Sequence, residues 1–195
     1  MRIGVLAVQG DVSEHLSIVE KTLKEMSIKG KAVPVKNSLD VDALIIPGGE
    51  STAISKIMKK TGLFNEIKKT CIPVMGTCAG CVLMDRKHLG LMNMDVERNA
   101  FGRQKESFEA DIKIKGFRKS YHGVFIRAPA IVNVYGECRI LAGFENRIVM
   151  AQEGNRIALS FHPELTSDTR IHKYFLSMIK NRRNYIDCIE FRTIL

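Results

Sequence analysis

Tryptophan is absent from this chain, and only 7% of its 195 residues are aromatic. No basic stretch interleaved with aromatics stands out, and Lys and Arg are scattered along the chain. The formal charge of +9 therefore does not point to nucleic acid; a solvated basic surface or an acidic protein partner explains it equally well. No apolar run approaches the length needed to span a membrane. The opening MRIGVLAVQG is too short and too soon polar for a signal peptide, so no membrane association is expected. The five cysteines (Cys71, Cys78, Cys81, Cys138 and Cys188) are odd in number and lack a framework spacing. Reduced thiols and a cytoplasmic setting follow. Beyond Cys78-x-x-Cys81 there is no second such pair and no Cys/His cluster of zinc spacing, which leaves a metal site poorly supported. Repeats, low-complexity segments and linkers are also missing. The length suits one domain over residues 1–195 with a sizeable core; the tail 184–195 has no pattern and is left unplaced.

What the chain has is a β–helix rhythm. Ile3 to Val8 is a continuous apolar run, as expected of a strand covered on both faces. Asp11 and Glu14 have capping-box spacing, and Val12, Leu16, Val19, Leu23 and Met26 then recur along one helical face. Lys31 to Val35 is a second strand, which Pro34 assigns to an edge. Ala43 to Ile46 is a third, stopped by Pro47-Gly48-Gly49. Helical pieces start at Glu50-Ser51-Thr52 and Leu63 before another strand at Val74. Such alternation predicts a parallel sheet with helices on both faces, whose function gathers at the carboxyl ends of the strands. After Arg86 shorter segments take over: Phe108 to Ile114, Val124 to Ala128, Ile131 to Tyr135, Arg147 to Ala151 and Ile157 to Ser160. These are read as antiparallel or mixed strands added to the parallel core. A last helix follows Thr166-Ser167-Asp168, with Ile171, Phe175, Met178 and Ile179 on its apolar face.

Within this frame, PVMGTCAGCV (residues 73–82) reads as strand, sharp turn and helix around Cys78. That is the setting of a nucleophile elbow, in which small neighbours let the backbone pass closely and the following helix aims its free N–H groups at the sulfur. A buried cysteine in a Gly-rich turn fits the same residues. Cys78 would need a base. Of the five histidines, His15 and His172 lie in helical patterns and are read as structural or exposed. His88 and His122 show no acidic neighbour at useful spacing. His162 follows the strand ending Leu159-Ser160-Phe161, and Glu164 two residues on can accept its Nδ1–H. A surface His-Pro-Glu turn is the alternative. Gly48-Gly49, after the third strand, can lie beside the fourth. There the Gly49 N–H, with that of Ala79, could line an oxyanion hole; a plain tight turn is again the competing reading.

The G-T-C-A-G elbow with a distant H-P-E resembles the class I (triad) glutamine amidotransferases. ALIIPGGESTA, VERNAFGRQ, SFEADI, GVFIRAP and SFHPELT are similar to one branch, the glutaminase subunits of pyridoxal 5′-phosphate synthase (the PdxT/SNO family). The match runs from the first strand through the last helix. It implies a flavodoxin-like three-layer α/β/α fold and hydrolysis of L-glutamine to glutamate and ammonia. Cys78 would be the nucleophile, His162 the general acid/base and Glu164 its orienting carboxylate. Glutamine would lie against Gly49, Glu50, Ser51, Arg103, Ile126 and Arg127. The family needs no metal or bound cofactor. It implies a partner, a (β/α)8-barrel synthase subunit that takes the ammonia within a large hetero-oligomer and without which the glutaminase is nearly silent. Cys81 stands where an apolar residue is expected and is read as the inward face of the helix. Competing readings are a glutaminase serving a different ammonia acceptor, a non-catalytic regulatory subunit on the same fold, and a cysteine hydrolase or thiol-redox protein using Cys78 and Cys81.

Overall fold

The computed structural model describes residues 1–101 and 107–180. Arg103 and the tail 184–195 lie outside them. β1 (Arg2–Leu6), α1 (Val12–Glu25), β2 (Lys31–Val35), β3 (Ala43–Ile46), α2 (Ser51–Thr61), α3 (Leu63–Lys68), β4 (Val74–Thr77) and α4 (Ala79–Met84) make up the first half. The second half adds β5 (Met94–Glu97), β6 (Ser107–Ile112), β7 (Tyr121–Ile126), β8 (Ala130–Val134), β9 (Arg139–Phe144), β10 (Arg147–Glu153), β11 (Arg156–Leu159) and α5 (Arg170–Lys180). A 3-10 turn at Pro163–Leu165 precedes α5.

The main sheet has the order β2-β1-β3-β4-β11-β10-β8-β5, with β9 paired to β10. Strands β2, β1, β3, β4 and β11 run parallel, whereas β10, β8, β5 and β9 join antiparallel. Pro34 is on the outer strand, where a missing N–H costs least. β3 shows why this half reads as buried on both faces. Ala43 and Ile45 belong to one core with Val19 and Leu23 of α1 and Phe175 of α5. Leu44 and Ile46 point to the other, with Ile54 and Met58 of α2 and Leu63 of α3. Successive residues of a strand alternate in direction, so four apolar residues in a row need cover on both sides. Each fully buried aliphatic side chain is worth roughly 1.5–3 kcal/mol.

Three expectations are corrected. Phe108 to Ile114 and Val124 to Ala128 do not extend the main sheet: β6 and β7 form a separate two-stranded ribbon. β5 and β9 were not foreseen, being short or half-exposed strands whose pairing is settled by β8 and β10. Asp11 precedes α1 but its side chain makes no capping hydrogen bond. Its carboxylate instead lies 3.4 Å from His162 Nδ1. Genuine carboxylate capping occurs at Glu50, which accepts from the N–H groups of Thr52 (2.9 Å) and Ala53 (2.6 Å) at the start of α2.

Candidate active site

β4 ends at Thr77, α4 begins at Ala79, and Cys78 makes the turn between them at φ 48°, ψ −105°. A non-glycine residue at positive φ is strained, and such strain persists where the surroundings enforce it. Here the Cys78 N–H donates to Leu159 O at 2.8 Å, tying the elbow to β11. The thiol approaches Ile126 O at 3.8 Å. Gly80 is required by space, since a Cβ there would sit 2.0 Å from Ile46 O. Cys81 is fully buried, and burial pushes its thiol well up, with the nearby Cys78, Asp85 and Cys138 adding to the effect. That is the environment of an inert, inward-facing thiol.

Because β11 lies beside β4, the chain leaving its carboxyl end carries His162 to the elbow. The His162 N–H donates to Val124 O at 2.8 Å, which joins this segment to β7. Its Nδ1 is 2.7 Å from Glu164 Oε1, and both side chains are buried. Its Nε2 is buried without an aligned hydrogen bond. Burial alone would lower the imidazole, but the proximity of Cys78 and the hydrogen-bonded Glu164 outweigh it and push His162 up to about 10. The protonated ring is thus favoured by its two neighbours together. Burial raises the Glu164 carboxyl, while His162 opposes that shift.

A cavity of about 340 Å³ opens at this point. Cys78, Ala79 and His162 line it together with Gly49, Glu50 and Ser51, and Ile126 and Arg127 complete the set read from the sequence. Glu164 sits behind His162, and Arg103 is outside the described residues. Gly49 has φ +139°, and a Cβ there would meet Gln9 Oε1 at 2.6 Å. The same Gln9 oxygen accepts from the Glu50 N–H at 2.8 Å, so the two loops fit each other closely.

The cavity wall also carries Gln9, Asp11, Arg98 and Asn99, none of them named among the site residues read from the sequence. Arg98 is the cationic member of this group. Its guanidinium donates to Glu50 Oε1 (3.0 Å) and Thr52 Oγ1 (3.3 Å) at the mouth of the site. The signal was available, because Arg98 belongs to the same VERNAFGRQ segment as Arg103. Glu50 is held below the usual carboxylate range by the Thr52 and Ala53 N–H groups, with further help from Arg98.

Of the two alternatives read for His15 and His172, structural or exposed, full burial matches the first. His88 has an acidic neighbour after all, Asp85, at 2.7 Å and three residues back in the turn that follows α4. His122 meets Glu109 (2.7 Å) and Asp111 (3.4 Å) across the β6–β7 ribbon, a pairing that spacing along the chain does not reveal. Neither His88 nor His122 lines the cavity. Asp11, His162 and Glu164 offer ligand atoms within 4.8 Å of one another. A cation there would have to displace the proton between His162 Nδ1 and Glu164 Oε1. The donor set therefore suits a hydrogen-bonded acid–base pair better than a metal. Chemically, a sulfur beside an oriented imidazole can attack an acyl carbon, and the imidazole can protonate the leaving group.

Sheet and elbow define the class: a three-layer α/β/α protein of the glutamine amidotransferase type. A crystal structure described as that of a glutamine amidotransferase superposes with a TM-score of 0.79 at 41% identity, over 91% of this chain and 98% of that one. The chain belongs to the SNO glutamine amidotransferase family, whose model matches residues 5–181. It is 48% identical to the pyridoxal 5′-phosphate synthase subunit PdxT of Brevibacillus brevis, over 94% of this chain and all of that protein. The subunit of the same name from Methanothermobacter thermautotrophicus is 46% identical over 97% of this chain and all of its own length. No described helix is long and apolar enough to cross a membrane.

Proposed function

We propose that this chain hydrolyses L-glutamine as the glutaminase subunit of a pyridoxal 5′-phosphate synthase, delivering ammonia to a (β/α)8-barrel partner in a cytoplasmic hetero-oligomer. The observation that carries the reading is the Cys78 elbow in one cavity with His162, whose Nδ1 meets Glu164 Oε1 at 2.7 Å. Full-length similarity to PdxT subunits supports the choice of substrate and partner.

In this mechanism the Cys78 sulfur attacks the side-chain amide carbon of glutamine, and the Gly49 and Ala79 N–H groups receive the developing oxyanion. Protonated His162 gives its Nε2 proton to the departing ammonia. A γ-glutamyl thioester remains. Neutral His162 then takes a proton from water, which attacks the thioester and releases glutamate and the thiolate. Glu164 keeps the Nδ1 proton in place throughout. For the zwitterionic end of glutamine, Arg98 and Arg127 are suited to grip the α-carboxylate, with Arg103 a further candidate. The Glu50 carboxylate suits the α-ammonium, and Ser51 and Ile126 bound the remaining walls.

The deciding experiment measures ammonia and glutamate release from glutamine with and without a pyridoxal phosphate synthase barrel. Hydrolysis that requires both the barrel and Cys78 is the expected result. Hydrolysis that is absent with the barrel bound would return the chain to a regulatory role. Hydrolysis that ignores the barrel would point to a different ammonia acceptor.

A further inference from the structure

Behind Glu164 stands a residue that the proposed chemistry does not use. His15, on the first turn of α1, is fully buried. Its Nε2 lies 3.3 Å from Glu164 Oε2 and 3.1 Å from the Thr77 hydroxyl. Glu164 Oε1 takes the hydrogen bond with His162, whereas Oε2 is buried with no aligned hydrogen bond and has His15 Nε2 as a neighbour at 3.3 Å. Thr77 is the residue immediately before the nucleophile. His15 therefore spans from the strand that presents the sulfur to the carboxylate that orients the base.

The protonation of His15 follows from its partners. A carboxylate oxygen can only accept, whereas a threonine hydroxyl can donate or accept. A bare Nε2 would turn its lone pair against the Glu164 oxygen, so the Nε2–H tautomer fits both neighbours. The imidazolium is disfavoured: burial lowers His15 well below the usual histidine range, and His172 and His162 push it the same way. Glu164 needs such a donor, because burial raises its carboxyl. Without it, the proton on His162 Nδ1 would be drawn toward Glu164, and the imidazole would lose its counter-charge.

We propose that neutral His15 is a positioning residue that donates its Nε2–H toward Glu164 Oε2, keeping that carboxylate ionised and turned toward His162. The inference rests on the glutaminase reading only through the roles of Cys78, His162 and Glu164. The other ionisable groups facing this cluster are Asp11 at the start of α1, Tyr121 on β7 and His172 on α5. All of them are unaltered in the variants below.

The test uses the full chain and a small neutral reagent, iodoacetamide, with alkylation of Cys78 followed by peptide mapping from pH 5 to pH 10. No glutamine is present, so failure here is distinguishable from a failure to hydrolyse glutamine. His15→Phe keeps a ring but removes the donor. Its acid limb should move up by about one pH unit, with alkylation near neutrality about tenfold slower, as when a partner charge is weakened. His15→Gln restores an N–H near the Nε2 position and should recover most of the loss. A His15→Phe profile superimposable on the parent, or a His15→Gln variant no better than His15→Phe, would reduce His15 to core packing. Should His15→Phe not fold, 15N NMR of the unaltered protein decides: Nε2–H is required, and the Nδ1–H tautomer overturns the proposal.

Discussion

The tightest steric constraint on the acid–base pair comes from Gly48, and Gly48→Ala tests it. A Cβ built at Gly48 would lie 2.5 Å from His162 Cε1, 3.1 Å from His162 Nδ1 and 2.6 Å from Asp11 Oδ2. Asp11 is half-exposed and can swing away. His162 is buried, hydrogen-bonded to Glu164 and tied by its own N–H to β7, so it has no free direction. Ordinary carbon–carbon contact begins near 3.5 Å, so the imidazole must shift by about 1 Å. A misplacement of that size costs about a hundredfold in rate. The overpacking should lower stability by roughly 1–3 kcal/mol. Steady-state ammonia release with the synthase barrel bound measures the first effect, and urea unfolding the second. Gly143→Ala is the control, because a Cβ there meets only Arg147 O at 3.4 Å. If Gly48→Ala turns over glutamine at the parent rate while remaining folded, the imidazole is not held as described and the contact argument is wrong.

Cys78→Ala should abolish hydrolysis with the fold intact, whereas Cys81→Ala should cost only packing, about 1 kcal/mol, as read from assays and unfolding curves side by side. Glu164→Gln should lower turnover by orders of magnitude with the Michaelis constant for glutamine nearly unchanged; normal turnover would remove Glu164 from the mechanism. Arg98→Lys loses a planar fork that also holds Glu50, so the Michaelis constant should rise about ten- to a hundredfold, equivalent to roughly 1.5–3 kcal/mol, with a smaller effect on turnover. His172 is lowered to about 4, chiefly by burial. Its folded value lies below its unfolded one, so its contribution is present above about pH 6.5 and is lost as pH falls toward about 4. Both of its ring nitrogens are buried without hydrogen bonds, so His172→Phe should leave stability at pH 7.5 little changed and flatten the decline between pH 6.5 and 4. An unaltered slope in urea midpoints would contradict that assignment.

Much of the fold was legible because burial leaves a periodic trace. Ala43 to Ile46 is apolar at every position because it is covered on both faces. α1 shows one apolar stripe because only one face meets the sheet. The elbow was legible for a different reason: Gly76 and Gly80, flanking Cys78, are small because backbone and side chains pass within contact of them, and that need is local. The apolar stripe read along α1 (Val12, Leu16, Val19, Leu23 and Met26) left His15 out, yet His15 is buried with Ile18, Val19, Thr22 and Leu23. What spacing lacked was its partner, Glu164, which comes from the far end of the chain. The same limit hid β5 and β9, whose hydrogen bonds are supplied by β8 and β10. It also hid Arg98 beside Glu50 and turned Asp11 from a cap into a neighbour of His162. Periodicity along a chain reports how each residue meets its own element and the bulk of the core. Which charged or polar atoms meet across elements depends on strand order and on how the connecting turns aim them, and those are properties of the folded whole.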